Sequence, residues 1–281
     1  MTVRIERFKY DVKKLLDQCI KSMSEHAPDN KARKERITTY TEYILKKQKE
    51  YISFASEKKI EKFIDDNVTD LNFKKDMIWL YDNKFSKNNS VGRELYNYIK
   101  MSAPANRCPY CLHRDVSQVD HFMPKTSKPV LSIVGENLVP SCSDCNHDKL
   151  NEDKKFFSHP YFDDIDNDIF LVCQLVKETD ICFDFKIIKP SEWTNDLFER
   201  VENQILSSDL LNFYAQHSVV EFNLKRRTLK RLSNLPDDLN ELKSFLNDSL
   251  LDAETVIGVN SWQAALYRCL LQNCNYINNY L

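Results

Sequence analysis

Two C-x-x-C pairs, Cys108 with Cys111 and Cys142 with Cys145, constrain this chain more than any other feature in it. Each pair is a knuckle able to present two thiolates to one ion, and four sulfurs meet the tetrahedral preference of zinc with no position left for a substrate. A zinc held in this way is structural. Thirty residues separate the pairs, and the ion would close a loop too small to bury a core of its own, so that ordering of the loop is coupled to metal binding. Inside or at the edge of that loop lie an Asp-His dipeptide (Asp120, His121), an Asn-Leu dipeptide (Asn137, Leu138), Asn146 directly after the last cysteine, and Lys149 one helical turn further on.

The order C-x-x-C, D-H-x-x-P, N-L-V-P, C-x-x-C-N-x-x-K, spanning Arg107 to Glu152 and about a sixth of the chain, resembles that of the HNH endonucleases with a zinc-bound ββα-metal finger. The resemblance implies a first strand carrying the Asp-His pair, a second strand starting near Asn137, and a helix opening at the second knuckle. It further implies that His121 is a general base, that Asp120 and Asn146 bind a catalytic divalent ion, and that Asn137 steadies the His121 loop. Two departures stand out. The Gly-Gly of the connecting loop is reduced to Gly135, and the family's third histidine is replaced by Asn146 with His147 beside it, so His147 is the alternative ligand.

These residue types suit phosphodiester hydrolysis. An unperturbed imidazole is largely neutral near pH 7 and can take a proton from water, while a carboxylate and an amide oxygen suit Mg²⁺ or Mn²⁺ in contrast to the soft sulfurs of a zinc site. Consecutive side chains on a strand point to opposite faces, so Asp120 and His121 can share a site only where the strand ends or is bulged. Pro124, Lys125, Ser127 and Pro129 supply that end. Lys149 would meet a phosphate, and His159, soon after the finger, would approach the same one.

The rest of the chain reads as helical. Only three glycines, Gly92, Gly135 and Gly258, occur in 281 residues, which disfavours a turn-rich all-β protein. Apolar residues at three- and four-residue steps predict one helix from Ile5 to Met23, ended by Pro28 and Asp29, and a second from about Lys31 to Ser56. The basic opening turn of the second (Lys31, Arg33, Lys34, Arg36) is either paired with acids, left as a solvated face, or reserved for a phosphate backbone. Shorter helices are expected over Lys58–Asp66, Phe73–Phe85 and Val91–Met101. Residues 169–176 and 181–188, separated by K-E-T-D, form the pattern of an antiparallel hairpin. Helices follow over Asn195–Leu206, Ser208–Leu232, Leu239–Leu251, started by Pro236, Asp237 and Asp238, and from an N-cap at Ser261 to about Tyr280.

The expected fold class is α+β, predominantly helical, with a central zinc-stapled ββα finger and a following hairpin. The expected division is 1–103, 104–157 and 158–281, with both helical parts packed around the finger. Cys19, Cys173, Cys182, Cys269 and Cys274 sit among apolar neighbours and read as buried free thiols. The chain shows no apolar leader or spanning run, so the cytoplasm is the expected compartment and no membrane partner is expected.

The formal charge of −2 hides an asymmetry: residues 1–100 carry 22 Lys and Arg against 16 Asp and Glu, and residues 161–281 carry 11 against 19. Attraction to a polyanion must therefore be local. The run Lys225, Arg226, Arg227, Lys230, Arg231 is either a phosphate track or a solvated helix face. The expected activity is that of a metal-dependent endonuclease, with duplex DNA as substrate before RNA and no helix-turn-helix to supply specificity. The competing reading is a catalytically silent zinc module that binds nucleic acid or a protein. Resemblance to HNH nucleases also implies a role in prokaryotic immunity or restriction and a protein partner that triggers or targets the activity.

Overall fold

The first helix begins where an aspartate can cap it. In the computed structural model, which describes residues 5–24, 28–66, 69–150, 156–177, 181–236, 239–277 and 281, Asp11 accepts from the Lys14 N–H at 3.0 Å and opens α1 (Val12–Lys21). Such a cap contributes about 1 kcal/mol. The expected start at Ile5 is corrected, because the segment before Asp11 docks on the loop between the two cysteine pairs instead of coiling: the Tyr10 hydroxyl donates to the Ile133 carbonyl. A Cβ on Gly135 would stand 2.7 Å from the Tyr10 ring, so the close approach requires glycine there.

Helix α2 (Pro28–Ser56) begins at Pro28, where a missing N–H costs nothing because first-turn N–H groups have no partner within the helix. Its basic opening turn is paired with an acid. Arg33 and Arg36 converge on the buried Asp76 at 3.1 and 2.6 Å, which ties α2 to α3 (Leu71–Leu80), itself capped by Asp70. Residues 58–66 contain one 3-10 turn, Ile60–Lys62, in place of the expected helix. After α3 the chain makes a π-helical turn, Tyr81–Phe85, and then α4 (Arg93–Met101).

The cysteine-bearing segment folds as strand, strand, helix. β1 (Gln118–His121) pairs antiparallel with β2 (Leu138–Ser141), setting Asp120 opposite Val139 and His121 opposite Leu138, and α5 (Ser143–Leu150) follows directly. A second antiparallel pair joins β3 (Leu171–Lys177) to β4 (Ile181–Ile187), with Leu171 opposite Ile187. Residues 178–180 of the expected turn lie outside the described residues. β4 buries alternate side chains, Ile181, Phe183 and Phe185, as expected for a half-buried strand.

The remaining helices are α6 (Asn195–Ser207), α7 (Leu210–Ser233), α8 (Asn240–Val256), α9 (Trp262–Gln272) and α10 (Cys274–Ile277). Ser261 caps α9 as expected, its Oγ accepting from the Ala264 N–H at 3.2 Å. The single final helix is interrupted at Asn273, whose side-chain amide donates to the Cys269 carbonyl at 2.8 Å and competes with the helical ladder. Asp237, Asp238 and Tyr280 lie outside the described residues. No helix among the described residues is long and apolar enough to cross a membrane.

The small ββα unit is braced on two sides. From the N-terminal helices, the Tyr81 hydroxyl donates to Val119 O and the Tyr96 hydroxyl accepts from Val119 N, both at 3.3 Å. From the C-terminal helices, Tyr214 donates to Cys111 O at 2.9 Å, Gln204 to Tyr110 O at 2.7 Å, and Trp262 to His113 Nδ1 at 2.8 Å. Among the other cysteines, all free, Cys19, Cys173, Cys269 and Cys274 are buried, while Cys182 is half-buried on the hairpin.

Candidate metal centre and adjoining cleft

The Sγ atoms of Cys108, Cys111, Cys142 and Cys145 lie within 4.8 Å of one another and all four residues are buried. A tetrahedral zinc with bonds of about 2.3 Å would set its sulfurs roughly 3.8 Å apart, so the donor set and its spacing fit such an ion. Backbone N–H groups already point at two of the sulfurs, Arg114 N at Cys111 Sγ and Cys145 N at Cys142 Sγ, each at 3.4 Å. Like charges this close cannot all ionise without a cation among them. Hydrogen bonds from the other three thiols hold Cys111 far below the usual thiol range, whereas the same contacts push Cys145 far above it.

Beside this centre a cleft of about 430 Å³ is lined by Asp120, His121 and Asn146, together with Tyr81, Tyr96 and Lys125. Both β1 residues reach it because the strand ends at His121. The imidazole is nearly buried. Its Nε2 lies 2.9 Å from Ser132 O, and because a carbonyl only accepts, Nε2 carries the proton and Nδ1 keeps its lone pair. Burial pushes the His121 pKa down to about 3, so the ring is neutral at pH 7. Tyr81 packs edge-on against it, with ring centroids 4.3 Å apart.

Asn137, fully buried, takes hold of the turn that follows His121: its Oδ1 accepts from Met123 N at 2.8 Å and its Nδ2 donates to Met123 O at 3.0 Å. Asn146 lines the cleft, while His147 is exposed and does not. The helical wheel explains the choice. Asn146 lies four residues after Cys142 and shares its inward face, whereas His147 is turned about 100° away.

Two expectations are corrected. Lys149 also lies on the inward face and is 8% exposed. It forms an ion pair with Asp120, Nζ to Oδ2 2.5 Å, and donates to the His121 and Phe122 carbonyls, so it has no free path to an external phosphate. Burial raises the Asp120 carboxyl and lowers the Lys149 ammonium, with their mutual attraction opposing both.

His159 is likewise internal. It stacks on Phe122 at 4.0 Å, its ring Nε2 meets the Tyr51 hydroxyl at 3.0 Å, and its Nδ1 accepts from Tyr161 N. The adjoining Asp163 pairs with the buried Arg200 at 2.6 Å and accepts from His159 N. Changing Asp163 to Ala leaves that guanidinium with only the largely exposed Asp196, at 3.2 Å, and thermal or urea unfolding should show a loss of about 2–4 kcal/mol, below the full cost of an unpaired buried charge. A loss below about 1 kcal/mol would show that Arg200 finds water or another acid.

Of the basic run on α7, Arg226, Arg227, Lys230 and Arg231 are exposed and Lys225 is half-buried, and none of the five lines the cleft. The cation that lines the cleft is instead Lys125. It pairs with Asp82 at 2.5 Å and lies over the Tyr81 ring. Tyr81, Tyr96 and Asp82 come from segments some 40 residues upstream of β1 or nearer, and nothing in their local sequence marked them for this site.

No protein-family model matches the chain, and no solved structure matches it significantly. Protein ea31 of Escherichia phage lambda is 25% identical over 218 residues, covering 68% of this chain and 70% of that protein. Septu protein PtuB of Bacillus thuringiensis is 38% identical over 66 residues, which is 21% of this chain and 26% of that protein. The chain is thus similar over most of its length to a phage protein and over about a fifth of it to a Septu protein.

Proposed function

We propose that the chain is a metal-dependent endonuclease of the HNH type, hydrolysing phosphodiester bonds of nucleic acid, with duplex DNA as the first substrate and a role in prokaryotic defence. One observation carries this reading: Asp120, His121 and Asn146 line a single cleft next to the four-cysteine cluster. The defence setting draws on the partial similarity to a Septu protein.

The oxygen donors Asp120 and Asn146 have the chemistry that Mg²⁺ or Mn²⁺ selects, and the cleft leaves room for the waters such ions retain. When bound, the ion would supply charge neutralisation at the phosphoryl group and the departing oxygen. The neutral His121 holds a lone pair at Nδ1 for the proton of an attacking water. Ser132 O fixes its tautomer, and Asn137 fixes the turn that carries it.

A zinc module that binds without cutting is favoured by two features, the burial of His121 and the Lys149 contact to Asp120. Plasmid nicking in Mg²⁺ or Mn²⁺ separates the two. Nicking that is abolished by Asn146→Ala and kept by His147→Ala supports the nuclease. No nicking by the wild type with any divalent ion or with chromosomally neighbouring proteins added supports the silent module. Cleavage of structured RNA with duplex DNA left intact would change the substrate.

A further inference from the structure

Lys149 sits on α5 three residues after Asn146 and four after Cys145, on the helix face that turns toward β1. Three oxygens surround its ammonium: Asp120 Oδ2 at 2.5 Å, His121 O at 2.6 Å and Phe122 O at 3.1 Å. An ammonium has three protons and no acceptor: two are donated to the His121 and Phe122 carbonyls, while the Asp120 carboxylate balances the charge, its Oδ2 having no hydrogen-bond partner of its own. Burying such a group is costly, and a side chain needed only to fill space would be apolar.

We infer that Lys149 is a positioning residue, an internal strut that sets the spacing between Asp120 on β1 and Asn146 on α5 and so preforms the divalent-ion site. The inference rests on the nuclease reading. Its mechanical basis lies in how α5 is held. Cys142 and Cys145 anchor the beginning of the helix at the four-sulfur cluster, and an anchor at one end leaves its direction free to swing. Lys149 is a second anchor, a turn beyond Asn146, and it ties the helix to the last residue of β1 and to the turn that Asn137 also holds. The two oxygen donors are then fixed from both sides.

An alternative role for the same contact predicts the opposite sign. A cation that merely occupies the Asp120 carboxylate would compete with a divalent ion, and removing it would tighten ion binding. A strut behaves in the other direction, since outer partners of metal ligands typically change affinity by about 10–100-fold when removed.

Mn²⁺ affinity, read by the electron paramagnetic resonance of the free ion, should therefore fall at least about tenfold in Lys149→Met, with zinc content and melting midpoint followed in parallel. Lys149→Gln, which keeps an amide donor for the carbonyls, should recover part of the loss. Unchanged or tighter Mn²⁺ binding in a folded Lys149→Met would overturn the strut.

Should that variant fail to fold, the wild type decides. Its Lys149 ammonium protons, followed by ¹⁵N NMR, should stay protected from exchange at saturating Mg²⁺, and loss of protection would mean that the ion displaces the lysine. Absence of any divalent binding to the wild type would remove the nuclease reading and the strut with it. Binding to the wild type with no loss in the variant would remove the strut alone.

Discussion

Replacing His121 with alanine should lower the rate of strand cleavage by about 10²–10⁴-fold, the usual contribution of a positioned general base. The geometry makes the effect specific to the proton-transfer step. Nε2 is committed to Ser132 O, which leaves only Nδ1 for chemistry. The ring is packed against the edge of Tyr81 and the Asn137-bound turn, so alanine removes the base and also leaves the buried Ser132 carbonyl without its donor, a cost of about 1–3 kcal/mol in stability. Single-turnover nicking should fall while Mn²⁺ affinity stays close to the wild type in a protein that remains folded with a lowered melting midpoint. Equal rates in the two proteins would remove His121 as the base and, with it, the role assigned to the cleft.

Changing Cys142 to Ser should cost more, because it acts on folding. Structural zinc sites contribute apparent binding free energies of about 10–16 kcal/mol, comparable with the whole stability of a domain, about 5–15 kcal/mol. Cys142 lies between β2 and α5, so its loss frees the helix that carries Asn146 and Lys149 at its anchored end. The expected result is one zinc per chain in the wild type by elemental analysis, substoichiometric zinc in the variant, and loss of its cooperative unfolding transition. A wild type that is folded and metal-free would end this account of the four cysteines.

The helix that begins at Trp262 could be read from Ser261, and the hairpin of β3 and β4 from alternating apolar residues, because both signals act between near neighbours in the chain. The start of α1 could not. Ile5 and Phe8 continue the apolar period of α1, but Tyr10 and the loop at Gly135 meet across some 120 residues and draw the first segment away from helix. The inward placement of Lys149 was legible in part, since Cys142, Cys145, Asn146 and Lys149 fall on one helical face. Its charge pointed instead to solvent and phosphate, and only the oxygens gathered from β1 and its turn show where that charge is satisfied.

The sequence by itself determined the four-sulfur cluster, the Ser261 cap and the order of acid, imidazole and amide on which the nuclease reading rests. These depend on residue type and short spacing, which local geometry converts into structure directly. Tertiary structure decided that the cleft opens on the Asn146 side of α5, that Lys149 and His159 are internal, and that Tyr81, Tyr96 and Lys125 line the same cleft. That cleft is assembled from segments brought together by packing of the N-terminal helices on β1, and burial of a polar side chain there depends on partners whose position in space no local pattern of the chain encodes.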